Sequence, residues 1–92
     1  MNVDYDALDE LFRIQDIEGL IALGVPDNEY EPEVEKIFAA LEALPREEAT
    51  VPKLVEVFEG VYKQMFGWSD EDMRRRRPHF EEIAMKVMSY FG

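Results

Sequence analysis

Cysteine is absent from the 92-residue sequence, and histidine and tryptophan each occur once. Without thiols there are no disulfides, no thiolate nucleophiles and no sulfur-ligated zinc or iron–sulfur centres. No apolar run approaches membrane-spanning length, and the opening residues MNVDYDALDE lack the positive start of a signal or transit peptide. A cytoplasmic location is therefore expected. No glycine-rich loop follows a strand-like segment, which removes the usual phosphate cradle. Alternation with period two never persists over strand length, and internal repeats and low-complexity tracts are missing. Basic residues are scarce as well: 10 Lys and Arg face 21 Asp and Glu, a formal net charge of −11.

The imbalance is concentrated. Residues 1–35 hold eleven acids (Asp4, Asp6, Asp9, Glu10, Asp16, Glu18, Asp27, Glu29, Glu31, Glu33 and Glu35) against Arg13 alone. Residues 36–68 carry a net charge of −1, and residues 69–92 are neutral. Nucleic-acid binding is disfavoured because phosphates would be repelled and no wide basic face exists to release counterions. Anionic membranes are disfavoured for the same reason. A basic protein surface is the partner that such a field attracts.

What remains is a helical pattern in a chain long enough for one core. Hydrophobic residues make up 47% and charged residues 34%, a balance that favours a folded single domain spanning residues 1–92. From Tyr5 to Asp16, Ala7, Leu8, Leu11, Phe12 and Ile14 share one side of a helical wheel, with Asp6, Asp9, Glu10, Arg13 and Asp16 on the other. Asp16 can cap a short second helix, IEGLIAL, ended by Gly24 with Pro26 beyond. Pro32 suits the first turn of the next helix, and Glu31, Glu33 and Glu35 lie near the positive end of its dipole. Val34, Ile37, Phe38, Leu41 and Leu44 form its apolar stripe, and Pro45 stops it. Thr50 is the natural cap of a further helix with Val51, Leu54, Phe58, Val61 and Met65 inward, weakened or opened to a neighbour at Gly60, and terminated at Gly67. Ser69 and Asp72 resemble a capping box, and Pro78 is expected to divide the remainder, leaving a last helix to Phe91 with Phe80, Ile83, Ala84, Val87 and Phe91 on one face. These elements predict an all-α fold, a compact bundle of four or five short helices packed around Leu11, Phe12, Ile37, Leu41, Phe58, Val61, Ile83 and Val87.

The segment DIEGLIALGVPDNEYEPEVEKIFAAL, residues 16–41, resembles the signature stretch of the YugE-like family of small bacterial helical proteins. In that family a W-D-P-[IL]-G start precedes a D-E-Y-x-P-E loop and an amphipathic helix. Here Gln15-Asp16-Ile17-Glu18-Gly19 stands at the start, without the tryptophan and proline, while Phe66-Gly67-Trp68 and Ile83-Ala84-Met85-Lys86-Val87 are compatible but unspecific. The resemblance implies a helical fold and assigns no activity. By analogy alone, small acidic helical proteins often act as immunity proteins or antitoxins that cover the active site of a basic toxin.

Candidate chemistry is thin. Asp27, Asn28, Glu29, Tyr30, Glu31 and Glu33 could offer oxygens to a cation, but they lack the EF-hand order and Pro32 restricts the wrap, so the loop reads as a solvated turn and no metal site is expected. Tyr30 is either an anchor on the core edge or an exposed hot spot. His79 has no triad partner in recognisable order, and the acid pairs Asp9-Glu10, Glu47-Glu48 and Glu81-Glu82 diverge by about 100° on a helix. The run Arg74-Arg75-Arg76-Arg77 wraps the helix as a collar, with Asp70, Glu71 and Asp72 four residues ahead of Arg74, Arg75 and Arg76; the alternative is a clasp onto the acidic third, within the chain or between copies. Met65 and Met88 are expected in the core, and Trp68 can be packed or exposed.

No enzyme and no cofactor are expected. The leading expectation is an acidic protein-binding module, immunity- or antitoxin-like, that neutralises a basic protein partner through Asp6, Asp9, Glu10, Asp27, Glu29, Tyr30 and Glu31. The alternative is a self-associating structural domain in which the arginine collar meets the acidic third of the next copy.

Overall fold

The computed structural model describes residues 1–15 and 31–91. Over these residues the order is helix α1 (Tyr5–Gln15), α2 (Glu31–Ala43), one turn of 3₁₀ helix (Arg46–Glu48), α3 (Val51–Phe66) and α4 (Asp70–Phe91), with no strand. The all-α bundle is thus the observed architecture. The short helix expected at 17–23, with its Asp16 cap and the turn at Gly24 and Pro26, lies outside the described residues.

Local chemistry sets the helix ends. Asp4 caps α1, its carboxylate accepting from Ala7 N at 3.1 Å. Thr50 caps α3: its hydroxyl accepts from Lys53 N at 3.3 Å, and Pro52 occupies the first turn. Gly67 ends α3 in the left-handed region at φ 65°, its N–H donating to Lys63 O at 2.8 Å. Ser69 then opens α4, accepting from Asp72 N at 3.2 Å while its hydroxyl meets the Asp72 carboxylate at 3.1 Å. The three residues between α3 and α4 therefore make a tight reversal.

Pro78 does not divide the last segment; α4 runs unbroken through it for 22 residues and is not a short helix. A helix-interior proline costs about 3 kcal/mol through its missing N–H and its clash with the preceding turn. Met73 before it and Phe80, Ile83, Ala84 and Val87 after it are all buried on one stripe. Each large apolar side chain so buried contributes about 1.5–3 kcal/mol, which outweighs the break. Pro78 itself is exposed, so its ring displaces no packing.

A continuous set of aromatic rings joins three helices. Phe12 of α1 meets Phe58 of α3 edge-on at 5.2 Å between centroids, and Tyr62 of α3 lies 5.2 Å from Phe80 of α4 and 5.4 Å from Trp68. Tyr62, Phe12, Phe58 and Phe80 are fully buried. Val34, Ile37 and Leu41 bring α2 into the same core, with Tyr5 edge-on to Phe38 at 5.4 Å. The Met1 amino group donates to Leu44 O, so the start of α1 sits at the end of α2.

Three inward assignments need correction. The buried side of α3 is Leu54, Val55, Phe58 and Tyr62, whereas Val61 is half-buried against the core and Met65 is half-buried outside it. The stripe is rotated toward the rings supplied by α1 and α4. Ile14 is 63% exposed because it lies at the edge of the wheel that Leu8, Leu11 and Phe12 centre. Of the methionines, Met73 is the buried one, Met88 packs half-buried on the core and Met85 is exposed.

Gly60 lies inside α3, is exposed, and a Cβ built there would meet nothing within 4 Å. Neither packing nor backbone conformation requires glycine at this position, although it costs the helix about 1 kcal/mol relative to alanine. The same substitution at two glycines should therefore have opposite signs. Gly60→Ala is expected to raise Tm by about 4–8 °C. Gly67→Ala is expected to lower it by a similar amount, since a side chain in the left-handed region costs about 1–2 kcal/mol. Circular-dichroism melts of both variants check this.

Candidate functional site

The outer face of α1 is built by the helix that buries Leu8, Leu11 and Phe12 on its other side. Asp6 and Glu10 are exposed and one turn apart, and neither makes an ion pair among the described residues. Asp9, between them in sequence, is half-buried and held by Arg13 at 3.2 Å. It is the one of the three whose charge is met from within the helix. Asp4 is used as the cap, and Glu35 on α2 is exposed. Glu33 departs from the outward set: it is 4% exposed, in the first turn of α2 where the helix dipole favours a carboxylate. Glu31 begins α2, and Asp27, Asn28, Glu29 and Tyr30 lie outside the described residues. The structure therefore places Asp6, Asp9 and Glu10 on one helix and leaves the loop half of the surface undescribed.

The arginine run is engaged mainly by its own hairpin. Arg75 faces Glu71 at 3.8 Å in the expected acid-before-base order. Arg76 instead stacks over Trp68, 4.0 Å from the ring centroid, and donates to Asp72 O at 3.1 Å. Arg77 crosses to α3 and donates to Glu59 at 3.0 Å. That hydrogen bond first, and then the Glu59 charge with a smaller share from Glu81, hold the Arg77 guanidinium above its ordinary value against a small opposing effect of burial. Asp70 goes to Lys63 at 3.3 Å, so the expected partner of Arg74 is taken and Arg74 makes no ion pair among the described residues. His79, exposed near the middle of α4, meets Gln15 Oε1 through Nδ1 at 2.9 Å and ties α1 to α4.

Sequence reasoning missed a groove between α3 and α4. It encloses about 430 Å³ beside Gly60, Met73 and Pro52. The Glu59–Arg77 bridge lines both this space and a second hollow of about 300 Å³ beside Val51 and Val55. The available signal was Gly60 itself, a helix-interior glycine with no local justification; the facing residues follow only once the α3–α4 register is known. Among the described residues no group of three or more His, Asp or Glu side chains converges as metal ligands do, and no helix is long and apolar enough to cross a membrane.

Comparison with protein-family models, curated proteins and solved structures finds no match to this chain. The residues that carry the YugE-like resemblance are described only from 31 to 41, so the fold does not bear on it.

Trp68 is the sole tryptophan and reports directly on the turn where α3 meets α4. Removing the cation above its ring with Arg76→Gln is expected to red-shift Trp68 emission and to destabilise the fold by about 0.5–1 kcal/mol. Fluorescence-monitored urea unfolding measures both.

Proposed function

We propose that the chain is a non-enzymatic binding module for a basic protein partner, received on the outer face of α1. The observation that carries the reading is that Asp6 and Glu10 stand exposed, without ion pairs among the described residues, on a helix whose opposite face is locked into the core. Like charges one turn apart repel by about 0.2–0.5 kcal/mol, a cost that a cation from outside relieves. Asp9 adds to the field although Arg13 offsets part of it. Asp27, Glu29, Tyr30 and Glu31 extend the surface in this reading. A toxin with a basic active-site rim is the partner class that an immunity-like role would take.

The competing reading needs free arginines to meet the acidic third of a second copy. Arg76 and Arg77 are each committed within the α3–α4 hairpin, which leaves Arg74, and Arg75 with its exposed Glu71 pair, for such a contact. That commitment favours an external cation over self-association.

Steering by an anionic face acts mainly on the association rate and is screened beyond about 8 Å at physiological salt. The test begins with a basic protein retained by the wild-type chain at low salt and released by high salt. Its association rate should fall at least about tenfold for the Asp6→Asn/Glu10→Gln double variant, and by a similar factor for wild type on raising salt. An association rate indifferent to both changes rejects the proposal. A salt-labile dimer in light scattering of the isolated chain would favour the self-association reading in its place.

A further inference from the structure

The charges around the α3–α4 groove are unevenly used. Glu59 is bonded to Arg77 at 3.0 Å and Lys63 to Asp70 at 3.3 Å, so these four neutralise one another. What is left is one carboxylate and one guanidinium. Glu56 on the α3 side is 74% exposed and reaches only Lys53, at 3.9 Å. Arg74 on the α4 side is exposed and makes no ion pair among the described residues. Because Glu59 faces Arg77 and Lys63 faces Asp70, Arg74 lies level with the α3 residues just after Gly60. Glu56 is then about 7 Å away along the helix axis, at 1.5 Å per residue. Between them the groove passes Gly60, where the absence of a side chain leaves open space above the helix backbone.

Gly60 is the second, independent pointer. A glycine that weakens its helix and relieves no clash within the chain is explained if something outside the chain approaches the backbone there. Neither a pure anion nor a pure cation suits a lining whose charges balance. A ligand bearing both signs meets the two groups left over, each through a charge-assisted hydrogen bond.

We propose that this groove binds a small zwitterion, its carboxylate on Arg74, its guanidinium or ammonium on Glu56, and the connecting chain over Gly60. A basic amino acid carries both groups on a flexible chain, whether free with its amine blocked or as the last residue of a peptide. The volume of about 430 Å³ falls within the range of small-molecule sites. The site is separate from the α1 face and stands or falls independently of it.

The probe is N-acetyl-L-arginine, titrated into the isotopically labelled full chain and followed by amide NMR shifts. Saturable shifts are expected at Gly60, Met73 and Arg74. N-acetyl-L-arginine methyl ester, which lacks the carboxylate, and acetate, which lacks the cation, should each bind at least about tenfold more weakly. Glu56→Gln and Arg74→Gln should each weaken the probe by a similar factor, and Gly60→Leu should abolish binding while the helix content is kept. If Gly60→Leu fails to fold, Gly60→Ala carries the test, expected to weaken the probe while raising Tm. Ac-Ala-Ala-Ala-Arg with a free carboxylate identifies the source: tighter binding than the probe marks a chain terminus, equal binding marks the small molecule. Absence of saturable shifts, or equal binding of the methyl ester, overturns the proposal.

Discussion

Burial of the Tyr62 ring is the constraint on which the rest of the molecule depends. It is fully buried among Phe12, Phe80 and Trp68, residues from α1, α4 and the turn before α4. Ring pairs of this kind add about 0.5–1.5 kcal/mol each beyond their burial, and a chain of this length has room for only one such core. The hairpin of α3 and α4 must therefore close at one register, set by Gly67 at the turn and by Tyr62 against Phe80. Once that register is fixed, Glu59 falls opposite Arg77, Lys63 opposite Asp70, and Arg76 over Trp68.

This closure has an electrostatic consequence. Most of the cations of the second half of the chain are drawn into contacts within α3 and α4, and the acidic first third is left with Arg13 as its internal base. Such an arrangement is tolerable because exposed carboxylates are well hydrated and interact weakly through water. It also leaves Asp6 and Glu10 exposed to solvent on α1.

How much of this could be read beforehand follows a physical divide. Helix ends were legible because caps depend on residues within one turn: Thr50 with Pro52, Gly67, and Ser69 with Asp72 behave as their types require. Apolar residues at the centre of each stripe, such as Leu8, Phe12, Ile37, Leu41 and Phe58, were legible from period alone. Residues at stripe edges were not. Ile14 turned outward, and Tyr62 displaced Val61 and Met65, because the deciding neighbours come from other helices. Pro78 failed as a breaker for the same reason: the local penalty lost to burial on both sides of it. On the candidate surface, the shared outer face of Asp6, Asp9 and Glu10 was legible, whereas the diversion of Asp70 from Arg74 to Lys63 needed the hairpin register.

That diversion also explains why the sequence-adjacent acids and bases of DEDMRRRR do not simply cancel. An ion pair one helical turn apart contributes only a few tenths of a kcal/mol, so it yields readily to any tertiary contact with better geometry. Lys63 and Glu59 supply such contacts from across the hairpin, and the Trp68 face supplies another. The diversion of Asp70 to Lys63 leaves Arg74 without an ion pair among the described residues, and Arg74 lines the groove beside Gly60. A surface charge without a partner carries little free energy alone. Set against the exposed Glu56, held only by Lys53 at 3.9 Å, across a concave, side-chain-free stretch of backbone, it becomes a feature that packing neither requires nor explains.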